Sequence, residues 1–140
     1  MSYDLMVFDP SAAPRKRAEF MEWYSEQTEW NEDHTYNDPV VTSPNLRAWF
    51  MEMIQEFPPM NGPLSGRELL EQDLAKETDY CIGKNVIYCA FARSFEGRAF
   101  GLMFELAKKH GVGFYDVSGD GDVWLPVDGE FALAHSRANN

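Results

Sequence analysis

Between Ser43 and the Pro58-Pro59 pair lies the feature that most narrows the possible folds. Leu46, Trp49, Phe50, Met53, Ile54 and Phe57 recur there at spacings of 3, 1, 3, 1 and 3. That rhythm collects large apolar side chains on one face of an α-helix. Ser43-Pro44 supplies a capping hydroxyl followed by proline at the first helical position, and the two later prolines stop the helix. A helix this one-sided needs an apolar partner. Val86-Ile87-Tyr88-Cys89-Ala90-Phe91 offers one, since it is too apolar for a strand with a wet face and reads as a central strand. The expected core is therefore helix packed on sheet.

The other elements fall in around that pairing. Residues 3–8 form an apolar strand ended by Asp9-Pro10. Pro14 suits the first turn of a helix over 14–28, with Phe20, Met21 and Tyr24 on its core side. Residues 31–42 have no period and read as a long exposed loop, and the connection after Pro59 has room for a short surface helix over 67–75. Residues 79–92 read as a hairpin turning at Gly83-Lys84-Asn85. Ser94 is placed to cap a third helix, with Phe95, Ala99, Leu102, Met103 and Leu106 as its stripe and Gly111 as terminator. Short strands are expected over 112–117 and 123–125. The order β-α-α-β-β-α-β-β predicts an α+β fold: a four- or five-stranded mixed sheet with about three helices packed on one face. It fills a single domain over 1–128, and residues 129–140 follow as a polar, fraying tail.

Charge limits the partners. With 23 acidic against 12 basic residues the net charge is -11, and no basic run exceeds Arg15-Lys16-Arg17. Such a surface repels nucleic-acid phosphates and anionic lipid, so neither is an expected partner. It favours a cationic protein, or serves solubility alone. No apolar run approaches the roughly 20 residues of a membrane span, and Met1-Ser2-Tyr3-Asp4 has no basic leader. Cys81 and Cys89 lack metal-ligand or redox spacing and read as reduced, packed residues of a cytoplasmic protein.

The most informative pattern is acidic. Glu19, Glu22, Glu26, Glu29 and Asp33 recur at spacings of 3, 4, 3 and 4, making a carboxylate stripe along the first helix. Trp23 and Trp30 flank it, roughly opposite the core side. Large aromatics beside charge resemble a binding hot spot, so these seven residues are the candidate partner-binding set. The competing account is a solvated helix face whose tryptophans tuck under the following loop. Asp116-Val-Ser-Gly-Asp-Gly-Asp122 superficially resembles a calcium loop, but Val127 stands where a bidentate carboxylate is needed, and an Asp/Gly-rich hairpin turn is the better reading. His34, His110 and His135 lie at no ligand spacing, and no nucleophile elbow, phosphate loop, zinc-protease helix or dinucleotide fingerprint is present. No catalytic residue, metal or cofactor is expected.

Three stretches carry a resemblance: Ser2-Tyr3-Asp4-Leu5-Met6-Val7-Phe8, the Ser43-Pro44 helix, and Ala107-Lys108-Lys109-His110-Gly111-Val112-Gly113-Phe114-Tyr115-Asp116. They are similar to a family of small bacterial proteins with an SYDL-type start and an HG-containing strand near the C-terminus. Arg93 departs from the tryptophan expected before Ser94. Some members look like immunity proteins to toxins delivered between bacteria, of type VI and recombination-hotspot (Rhs) kinds. The resemblance implies an immunity protein that occludes a cognate toxin's active site, without fixing the contact residues. A small-molecule binder or enzyme with a pocket between sheet and helices is one alternative. An acidic housekeeping protein with no toxin-related role is another.

Overall fold

Strand β1 (Ser2–Phe8) runs through the middle of the molecule with Leu5, Met6, Val7 and Phe8 all fully buried. The computed structural model describes residues 2–65 and 76–137. After β1 come α1 (Arg17–Gln27), α2 (Pro44–Met53), β2 (Asp79–Ile82), β3 (Val86–Ala92), α3 (Glu96–His110), β4 (Gly113–Tyr115), β5 (Val123–Val127) and β6 (Glu130–His135). Short 3-10 turns occupy Pro39–Val41 and Arg93–Phe95. The helix expected over 67–75 lies outside the described residues.

The fold is α+β: among the described residues three helices pack against one sheet of order β2-β3-β1-β4-β5-β6. Two expectations need correcting. The sheet has six strands rather than four or five, and all its neighbours pair antiparallel rather than in a mixed pattern. Among the described residues the one parallel pairing is an isolated bridge between Pro59 and Thr78. The extra strand is β6, in place of the expected fraying tail. Asp128 and Gly129 take left-handed φ values of 51° and 80°, and Val127 pairs with Glu130 across them. Asp-Gly with both residues at positive φ is the tight turn whose twist matches a hairpin, so the chain folds straight back on β5.

The helices also divide between the two faces of the sheet, against the one-face expectation. Pleating sends Leu5 and Val7 to one side and Met6 and Phe8 to the other. On the first side they join Ile87, Cys89, Phe91 and Phe114 beneath α2 and α3, with Trp49, Phe50, Met53, Met103 and Leu106 all buried there and Leu102 partly so. On the second side Met6, Phe8, Val86, Tyr115, Val123 and Leu125 are covered by Phe20 of α1, with Met21, Trp23 and Tyr24 around it. A central strand that is apolar on both faces cannot be buried by one helical layer. The second layer answers that demand.

Local signals hold in outline and less well at helix starts. The Gly83–Asn85 turn closes the β2–β3 hairpin, with the Gly83 N–H donating to Val86 O at 2.8 Å. Gly111 ends α3 in the left-handed conformation, as expected. Ser94, however, sits inside the 3-10 turn and caps nothing, and α1 starts at Arg17 instead of Pro14. Cys81 and Cys89 are both free thiols, and β2–β3 pairing puts them opposite Tyr88 and Tyr80 on different faces.

One close approach sets the distance between β1 and the second layer. Gly113 pairs with Phe8, and a Cβ on Gly113 would lie 2.3 Å from Phe8 Cε2 and Cζ. Gly113→Ala is expected to destabilise the protein by about 1–3 kcal/mol, because the Phe8 ring has Phe20 and Trp23 against it and cannot retreat. A lower urea midpoint with an unchanged m-value checks this, and an unchanged midpoint refutes it.

Candidate functional site

The acidic stripe is shorter than its spacing implied. Only Glu19, Glu22 and Glu26 lie on α1, which ends at Gln27 with Thr28 as its C-cap. The Thr28 hydroxyl donates to Tyr24 O at 2.9 Å, and Trp30 then takes a left-handed φ of 55°, turning the chain out of the helical path. Glu29 and Asp33 therefore continue the row from a turn and a loop. All five carboxylates are exposed, and none forms a salt bridge among the described residues. No basic residue occupies the last turn of α1, so Glu26 faces the negative end of the helix dipole uncompensated. Two carboxylates near α2 are matched by contrast: Glu52 meets Lys109 and His110, Glu56 meets Arg98 and Lys76, and both have lowered pKa values through hydrogen bonds to those side chains. The carboxylates of the α1 ridge have no such partner among the described residues.

Both tryptophans turn inward, contrary to their expected place opposite the core. Trp23 packs on Phe8 and Phe20 at centroid distances of 5.9 and 5.6 Å. Trp30 packs edge-on against Tyr36 at 5.1 Å and Tyr88 at 6.3 Å. Residues 31–42 are likewise more ordered than an unpatterned loop. Tyr36 O accepts from the Ile82 N–H at 2.8 Å, the Glu32 N–H donates to the Tyr36 hydroxyl at 2.6 Å, and Glu32 Oε1 accepts from the Lys84 N–H at 3.0 Å. The loop is strapped to the β2–β3 turn. The tryptophans thus form the stiff backing of the ridge, with Trp30 also reaching its surface.

What sequence reasoning missed is a cleft beside the ridge. Tyr24, Thr28, Trp30, Asp79, Cys81, Tyr88 and Ala90 enclose about 290 Å³ between the end of α1 and the outer face of β2 and β3. That is the small end for ligand sites and suits one long side chain or a small molecule. Aromatic rings wall it, and Asp79 is its one carboxylate. The Tyr88 hydroxyl donates to Asp4, and burial followed by that bond raises its pKa well above the usual tyrosine range. The Cys81 thiol is pushed up to about 11, first by burial and then by Asp79, so it stays protonated and is a poor nucleophile. A signal for this face is present in the sequence: strand alternation in 86–91 sends Val86, Tyr88 and Ala90 to one side. A larger depression of about 340 Å³ at Asp9, Ser43, Asn45 and Gly111 has no aromatic wall.

The Asp116–Asp122 segment forms the turn between β4 and β5, as its Asp/Gly content implies. Asp116 accepts from the Gly119 N–H at 3.1 Å, so its carboxylate serves its own loop. Among the described residues no three His, Cys, Asp or Glu side chains are grouped to hold a metal ion, and no helix is long and apolar enough to cross a membrane. Comparison with protein-family models, curated proteins and solved structures finds no match.

α1 is pinned at its N-terminal end by a buried Arg17, which donates to Gly121 O at 2.6 Å and approaches His135 Nδ1 at 3.3 Å. A bulge between Val123 and Trp124 in the β5–β6 pairing turns His135 to this face, where it lies 5.1 Å from Phe20. With Nδ1 accepting from Arg17, Nε2 carries the proton and is buried without a partner among the described residues. Burial, and then the Arg17 charge, lower the His135 pKa below its usual 6.5. The unfolded chain therefore binds this proton more readily than the folded one. The stabilising contribution is complete above about pH 6.5 and is lost as pH falls through the folded pKa. Stability of the wild type is expected to drop more steeply below pH 6.5 than that of His135→Gln. Chemical denaturation at pH 7.5 and 5.5 measures the difference, and parallel losses in the two proteins would refute the assignment.

Proposed function

We propose that this chain is an immunity protein: it binds a cognate toxin domain through a cationic surface of the toxin and blocks access to the toxin's active site. The observation that carries the reading is the row of unpaired carboxylates at Glu19, Glu22 and Glu26, extended by Glu29 and Asp33 and held on a rigid aromatic layer. Unneutralised charge on a stiff support is suited to steering and registering an oppositely charged partner, because little ordering remains to be done on binding. Toxins that act on nucleic acid or nucleotides need cationic clefts, and an acidic ridge complements such a cleft directly. The resemblance of the SYDL-type start and the HG-containing strand to immunity proteins supports the same reading.

The cleft adds an anchor. A lysine or arginine of the toxin entering between Tyr24, Trp30 and Tyr88 gains cation–π contact with the rings and an ion pair with Asp79. Trp23 and Trp30 then act mainly by holding the ridge and shaping the cleft. A second reading rests on the same aromatic walls: the cleft takes a small cationic molecule, and the ridge only raises its local concentration.

Titration of the chain against the toxin domain encoded beside it tests both. Reversing Glu22, Glu26 and Glu29 to Lys is expected to weaken binding by at least about tenfold, mainly through slower association. The fold should be spared, since exposed substitutions of this kind stay within about 0.5 kcal/mol. Wild-type affinity should fall with added salt, because screening lengths shrink below about 8 Å above physiological strength. Unchanged affinity in the triple variant would refute the ridge as the contact surface. Quenching of Trp30 fluorescence by a small quaternary ammonium probe, with no binding of the toxin, would favour the second reading.

A further inference from the structure

Both ring nitrogens of His34 meet acceptors. Nδ1 lies 2.7 Å from the Thr35 carbonyl oxygen, and Nε2 is bonded to the Glu32 carboxylate. A carbonyl or carboxylate oxygen only accepts, so each nitrogen has to donate. A neutral imidazole has one N–H and one lone pair and can satisfy just one of the two. The geometry is that of the charged ring. The Thr35 carbonyl, most of all, raises the His34 pKa above the usual 6.5; burial opposes the rise, and Glu32 and then Asp33 add to it.

What this ring fastens reaches the cleft. Glu32 Oε1, besides its bond to His34, accepts from the Lys84 N–H at 3.0 Å, and a Cβ on Gly83 would lie 3.5 Å from Glu32 Oε2. One carboxylate thus ties the loop to the β2–β3 turn. His34 packs on Tyr36 at a centroid distance of 4.7 Å, and Tyr36 packs on Trp30, which walls the cleft. Tyr36 O in turn takes the Ile82 N–H of β2. Trp30 stands at a φ of 55°, a left-handed conformation that a bulky side chain keeps only when its surroundings hold it there. The charged groups around His34 are Glu32 and Asp33 of its own loop. The turn packed against that loop adds Lys84, whose side chain is exposed and makes no salt bridge among the described residues. Tyr36 is the other titratable group in contact with the ring.

We propose that His34 and Glu32 form a proton-operated clasp: the imidazolium fastens the loop to the β2–β3 turn and holds Trp30 at the cleft, and loss of its proton loosens both. In the neutral ring Nε2 can keep its hydrogen for Glu32, but Nδ1 then turns a lone pair on the Thr35 oxygen, and the two move apart. The clasp contributes fully below about pH 6.5 and is lost as pH rises through the folded pKa. This sign is opposite to that of His135, so both contacts hold in the range between the two folded pKa values. The clasp acts whatever the cleft binds.

A proton NMR titration of the full chain from about pH 5 to about pH 9 reads the ring and its consequences together. His34 is expected to titrate above pH 6.5, and in Glu32→Gln its midpoint should move down toward that value. The Trp30 indole N–H resonance and the protection of the Ile82 amide, corrected for the intrinsic rise of exchange with pH, should follow the His34 midpoint. Ile82 protection should fall about tenfold for each pH unit by which that midpoint exceeds 6.5, because the opened loop binds the proton less tightly by the same factor. In His34→Gln both responses should vanish. A His34 midpoint at or below 6.5, or one that Glu32→Gln leaves unmoved, would overturn the proposal. So would Trp30 and Ile82 responses that persist in His34→Gln, or a raised midpoint that neither of them follows. No toxin is present in any arm, so these outcomes are separate from whether the ridge binds one.

Discussion

Much of this structure depends on β1 being buried on both faces. Leu5 and Val7 commit one face of the sheet to α2 and α3, and Met6 and Phe8 commit the other to α1. β1 also pairs with β3 on one side and β4 on the other, so it sets the register of the sheet's centre. The contact between Phe8 and Gly113 is where these roles meet, since the ring occupies the space a side chain on β4 would need. Phe20 and Trp23 close over that ring, and α1 is thereby fixed to the sheet.

From that docking follows the character of the candidate site. An isolated helix with Glu19, Glu22 and Glu26 in one row and no compensating base would be a poor one, because like charges three and four apart repel. Here α1 is held by Phe20 in the second core and by Arg17 under the loop at Gly121. Packing tolerates a charge distribution that local helix energetics disfavour. Departures of this kind from local consistency are expected where a surface serves binding. The aromatic cleft at the far end of the same helix has a similar origin, since Thr28 and Trp30 terminate α1 over Tyr88 of β3.

Several particulars are legible in the amino-acid sequence. The apolar stripe from Leu46 to Phe57 and the strand around Ile87 meet in one core, because a 3.6-residue period and a continuous apolar run each allow few alternatives. The hairpin at Gly83–Asn85 and the terminator at Gly111 are equally direct, since they rest on backbone chemistry local to a few residues. Asp128-Gly129 carries the same kind of turn signal for β6, but the polar tail beyond it obscures the short strand. Within the candidate set, Glu19, Glu22 and Glu26 keep the places their spacing implies. Glu29 and Asp33 do not, because a row counted at helical spacing says nothing of where the helix stops.

The amino-acid sequence by itself determined the three described helices in outline, most strands, their order and the excess of carboxylates on α1, all of which depend on residue type and short-range spacing. Tertiary structure alone decided which face of the sheet each helix covers, that Trp23 and Trp30 turn inward, and that Tyr24, Trp30, Asp79 and Tyr88 converge on one cleft. The reason is physical. An amphipathic helix specifies that it must bury a face, and a two-faced strand offers it two places to do so. The choice between them is made by contacts between residues distant in sequence, such as Phe8 with Phe20 and Arg17 with Gly121.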